Sequence, residues 1–144
     1  MNESTNQNPE RDLRRAALKL QAQLRFAGVS FQPSRHGVQI QVGWFVIEVL
    51  IGRFGEGAPV VVLRAEIPER FTRPDLEETL LCLVAQGVEG LAIRDTDDGC
   101  QAFAPLTPLD QPDAWDSVFR RLRMLTGFGV ELARLALRME QEAA

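Results

Sequence analysis

The chain has 144 residues and a mass of 16.1 kDa, the size of one domain with one core. Hydrophobic residues at 45% and charged residues at 25% exclude a wholly disordered chain, and 16 basic against 20 acidic residues leave a net charge of −4. That balance, with the basic residues spread along the chain, argues against nucleic acid as a partner.

No stretch approaches the ~20 apolar residues of a membrane span, so no membrane insertion is expected. The opening Met1-Asn2-Glu3-Ser4 lacks the basic and apolar regions of a signal peptide, so a cytoplasmic location is expected. Cys82 and Cys100 stand outside any CxxC spacing and read as two buried thiols in a reducing compartment.

Residues 1–8 read as a flexible leader, and residues 9–144 as a single domain. A first helix is expected from Pro9 to Ala27, with Asn8 as N-cap and Gly28 as terminator. Leu13, Ala17, Leu20, Leu24 and Ala27 recur on one helical face, while Arg11, Arg15, Lys19 and Gln23 lie at other angles. Val29–Gln32 is a short extended piece closed by Pro33-Ser34-Arg35-His36-Gly37, a turn sequence. Val38, Ile40 and Val42 then alternate with glutamines, the period of a half-buried strand. Trp44–Ile51 is nearly all apolar, and Pro59–Ile67 is too β-branched for a good helix, so both are strands joined by the glycine-rich loop 52–57.

A second helix starts near Pro74, capped by Thr72 or Arg73, and runs to Gln86, where Gly87 stops it. Leu91–Arg94 and Cys100–Ala104 flank a hairpin with Asp98-Gly99 at its tip. A proline-punctuated connection from Pro105 to Pro112 leads to a long final helix from about Asp113, which Gly127 and Gly129 are expected to bend. The order α-β-β-β-α-β-β-α predicts an α+β fold, an antiparallel sheet flanked by three helices.

Candidate chemistry is sparse. Asp95, Asp97 and Asp98 lack the spacing of an EF-hand loop and read as a solvated turn, so no metal is expected. His36 is the only histidine, sits in a turn, and accompanies no nucleophile signature. The glycines at 52, 55 and 57 lead into a strand, which leaves no helix N-terminus for a phosphate. Glu77 and Glu78 point to different sides of their helix. No catalytic residue and no cofactor are expected, and the chain does not read as an enzyme.

The excess lies in apolar surface. Phe45, Ile47, Val49 and Ile51 with Val61, Leu63, Ala65 and Ile67 make one continuous core face. The other face carries Trp44, Val46 and Leu50 with Val60 and Val62, interrupted by Glu48, Arg64 and Glu66. Either it stays open as a partner surface or the final helix folds over it. The second helix is apolar around most of its circumference, which places it in the core or against a second copy.

In size, acidity and element order, residues 9–140 resemble the class I type III secretion chaperones, the CesT/SycE-like group. The resemblance is carried by Leu80-Leu81-Cys82-Leu83-Val84, Gly90-Leu91-Ala92-Ile93, the Asp-Asp-Gly turn, Phe103-Ala104-Pro105-Leu106 and the long last helix. Gln86-Gly87 stands where that family usually has an Asn. The resemblance implies a homodimer, with Leu80, Leu83 and Val84 at the dimer interface. It also implies that the extended N-terminal segment of a secreted effector wraps around the dimer, in a groove assigned to Leu13, Leu20, Leu24, Val38, Ile40, Trp44 and Val46. YbjN-like modules share the fold without a secretion role and are the alternative.

Overall fold

The computed structural model describes residues 9–53 and 55–143. The expected leader and the Asn8 cap lie outside those residues. The elements are α1 (Pro9–Phe26), β1 (Gln32–Ser34), β2 (Gly37–Val42), β3 (Phe45–Arg53), β4 (Pro59–Ile67), α2 (Arg73–Ala85), β5 (Ala92–Thr96), β6 (Gly99–Phe103), β7 (Thr107–Pro108) and α3 (Ala114–Ala143). The fold is α+β, with the strands in one antiparallel sheet ordered β1-β2-β3-β4-β6-β5 and β7 pairing with β4. Two strands exceed the five expected. β1 includes Pro33 and Ser34, residues of turn-forming type, and β7 lies in the proline-punctuated connection.

Helix ends follow their local chemistry. Thr72 caps α2 in a capping box: the Asp75 amide donates to Thr72 Oγ1 at 3.3 Å, and the Thr72 amide donates to Asp75 Oδ2 at 2.8 Å. Gly28 and Gly87 take positive φ just past α1 and α2. The next amides, of Val29 and Val88, each reach back 2.9 Å to the carbonyls of Leu24 and Leu83.

The turn between β2 and β3 has two residues, Gly43 and Trp44, so Val42 opposes Phe45 and Val38 opposes Val49. Even-numbered β2 residues therefore share a face with odd-numbered β3 residues. That inner face holds Val38, Ile40, Phe45, Ile47, Val49 and Leu63, all buried in one core with Leu20 and Leu24 of α1 and Leu125, Phe128 and Leu132 of α3. Asp12 of α1 ties to Arg53 of β3 at 3.1 Å. Arg121 of α3 donates to the Leu106 carbonyl at 2.7 Å and to Thr107 Oγ1, which joins α3 to β7.

The final helix α3 runs without interruption from Ala114 to Ala143, through both Gly127 and Gly129. Gly129 serves closeness. A Cβ there would stand 2.6 Å from the Phe45 ring, so hydrogen alone lets the helix settle on that aromatic. Gly37 does the same between strands, where a Cβ would come within 1.9 Å of the Val49 carbonyl oxygen. The β5–β6 hairpin is shifted by one residue from the reading: Asp97 and Asp98 form its turn, and Gly99 already pairs with Thr96.

Candidate functional site: the open sheet face and helix α2

Alternation along β3 and β4 sends the intervening side chains to the opposite face: Val46, Glu48 and Leu50 beside Val62, Arg64 and Glu66. None of these belongs to the core cluster. Directly opposed pairs on this face are tied by polar contacts. Arg64 Nε donates to Glu48 at 3.1 Å, Gln101 Nε2 donates to Glu66 at 2.6 Å, and Arg94 donates to Gln101 at 3.0 Å. The Arg94 guanidinium also lies 5.5 Å from the Phe103 ring centre. Leu50 and Val62 oppose each other beside this ladder and are half-buried.

At the β2–β3 turn, Trp44 stacks on Phe71 with ring centres 6.0 Å apart and planes at 21°. Arg70 lies over both rings, at 5.3 and 5.2 Å. The stack fixes the indole and still leaves Trp44 39% exposed, next to Val46 at 37%. Two shallow hollows flank Val46. One, of about 280 Å³, is bounded by Phe31, Gln39 and Gln41; the other, of about 440 Å³, by Trp44, Glu48 and Glu66.

The seven residues assigned to one groove do not form one surface. Leu20, Leu24, Val38 and Ile40 are buried on the inner face, facing each other across the α1–sheet interface. Leu13 is half-buried against the same core. Trp44 stands in the turn and Val46 on the far side of the sheet. The cause is the two-residue turn, which reverses the parity between β2 and β3. What is open is the Trp44 and Val46 side, with Phe31 and the β2 glutamines rather than Val38 and Ile40 beside it.

Helix α2 is also divided. Leu76, Thr79 and Leu83 are buried, and Leu83 comes within 3.9 Å of the position a Cβ on Gly127 of α3 would take. Of the three residues assigned to the dimer interface, Leu83 thus packs within its own chain, Leu80 is half-buried, and Val84 is 47% exposed. Leu81, which the sequence reading did not assign, is 69% exposed and lies on the same outward arc as Val84. Its signal was available: Leu81 falls opposite the Leu76 and Leu83 stripe.

Cys82 is exposed on α2 rather than buried. The Cys100 thiol donates to Asp95 Oδ1 at 3.3 Å, and that bond to a carboxylate, with some desolvation, pushes its pKa above the usual cysteine value. Asp95 also accepts from Arg73 at 3.0 Å. His36 is exposed in the β1–β2 turn, where its carbonyl accepts from the Ile51 amide at 2.7 Å. Among the described residues, no three His, Cys, Asp or Glu are grouped to hold a metal ion, and no helix is long and apolar enough to cross a membrane. The open face thus sets apolar side chains beside hydrogen-bonding groups held by one another, and α2 carries an exposed apolar arc at Leu81 and Val84. No family model, curated protein or solved structure matches the chain.

Proposed function

We propose that this protein is a cytoplasmic, non-catalytic secretion chaperone of the class I type III kind. It acts as a homodimer that holds the extended N-terminal segment of one or more secreted effectors and keeps them export-competent. The observation that carries the reading is apolar side chain left uncovered in two places at once: Trp44 and Val46 on the open sheet face, and Leu81 and Val84 on α2. Exposed large apolar groups mark partner surfaces. The element order supports the same reading.

The two places receive different partners. Leu80, Leu81 and Val84 meet a second copy, since a helix apolar on both sides needs a second layer. The client lies across the open face and seats apolar side chains in the hollows beside Val46. The Gln39, Gln41 and Glu48 side chains accompany its backbone. An extended segment suits such a surface, because ordering it costs entropy that dispersed apolar anchors offset.

The test is light scattering on the full chain, followed by capture of the bound client and mapping of its protected segment. A dimer that becomes monomeric in Leu81→Glu, and a client whose capture falls in Trp44→Asp, support the assignment. A monomer at micromolar concentration removes the dimer. A dimer that protects no extended segment favours a YbjN-like module instead.

A further inference from the structure

A third surface runs along the solvent side of α1 and meets the open face only at its C-terminal end, where the Arg25 guanidinium lies 5.2 Å from the Phe31 ring centre. Arg11, Arg14, Arg15, Lys19 and Arg25 all project from one arc of about 140°, and all are exposed. Leu18, Ala22 and Phe26 recur at four-residue steps within the same arc. Leu18 is 60% exposed, and Phe26 is 94% exposed at the helix end. No Asp or Glu falls inside the arc. Of the flanking acids, Asp12 is paired with Arg53 and Glu10 lies at the N-terminal edge. Arg35, on the β1–β2 turn, adds a further cation across a hollow it shares with Arg14, Leu18 and, at its margin, Glu10. Five of the chain's 16 basic residues thus sit on one face about 22 Å long, in a protein whose net charge is −4.

We infer that this face of α1 docks the protein on an anionic lipid bilayer, with the helix lying in the plane of the surface rather than crossing it. Charge complementarity joined to shape selects this occupant. Arginine and lysine side chains pair with headgroup phosphates, and their attraction falls off within a Debye length, so the cations must gather on one side, as here. A polyanion such as nucleic acid needs only those cations. It gives no role to a phenylalanine standing fully out of a helix. An acyl boundary does, since projecting Leu18 and Phe26 leave water there. The inner side of α1 is already occupied by the core, so docking requires no unfolding.

The experiment is co-sedimentation of the full chain with vesicles of phosphatidylglycerol in phosphatidylcholine, against vesicles of phosphatidylcholine alone. Binding to the anionic vesicles only, weakened by salt, is expected. Arg15→Glu with Lys19→Glu lowers that binding about tenfold or more, and Leu18→Ser with Phe26→Ser lowers it severalfold at unchanged melting temperature. Absence of binding to anionic vesicles at low salt overturns the inference. So does binding indifferent to the Phe26 and Leu18 substitutions; equal indifference on heparin then identifies a plain polyanion site. Dimerisation and client capture are read separately, so failure here leaves the chaperone reading standing.

Discussion

Phe45 and Val46 are neighbours in sequence and opposites in environment. Phe45 faces α3, where its ring meets Phe128 at 6.2 Å and rests on the bare backbone of Gly129, and it is 1% exposed. Val46 faces outward between two hollows and keeps more than a third of its surface in water. The same alternating strand makes both. What separates them is the opposing layer: two helices on one face, and on the other a ladder of Glu48, Arg64, Glu66, Gln101 and Arg94. The inner face supplies stability, and the outer face contributes little to it.

That contrast can be broken by substitution. Phe45→Ala should cost about 3–5 kcal/mol in urea unfolding, while Val46→Ala costs about 0.5 kcal/mol or less. Similar losses at both positions would erase the distinction between the faces. Next in size, Gly129→Ala drives a methyl into the Phe45 ring and should cost about 1–3 kcal/mol. Gly127→Ala, whose Cβ finds ordinary contact 3.9 Å from Leu83, should instead gain up to about 1 kcal/mol from helix propensity. On the outer face Glu48→Gln should cost no more than about 1 kcal/mol, because the Arg64 pair is partly wet. The smallest effect is chemical. Iodoacetamide should modify exposed Cys82 before Cys100, whose thiol is held to Asp95. Asp95→Asn removes the carboxylate that raises the Cys100 pKa, so the onset of its alkylation moves to lower pH; an unchanged onset would show that the Asp95 contact does not govern the thiol.

Much of this architecture can be read from residues alone. The α1 core stripe through Leu20 and Leu24, the Thr72 cap, the odd-numbered faces of β3 and β4, and the hairpin before Gly99 all follow from local periodicity and turn chemistry. The grouping of Val38 and Ile40 with Trp44 and Val46 fails for a precise physical reason. Period-2 alternation sorts a strand into two faces but does not say which face matches that of its neighbour. The loop length decides, and Gly43-Trp44 is a two-residue turn. The close approach at Gly129 has no local signal: the need for a bare backbone there comes from the Phe45 ring, a partner distant in sequence. The cationic face of α1 is legible in part: Arg11, Arg15 and Lys19 already fall off the apolar stripe of the expected helix, while the exposure of Leu18 and Phe26 within the same arc comes only from the structure.

The two margins of the sheet are unlike. β1 has three residues, and Pro33 lacks the amide hydrogen that an added strand would need. β5 has five residues and pairs, among the described residues, only with β6. A chain that could extend its ladder at both rims would be able to stack copy on copy into a fibre. Here one rim is blunted, so a junction made through β5 with another molecule terminates at once, and growth by repeated strand pairing has nowhere to continue.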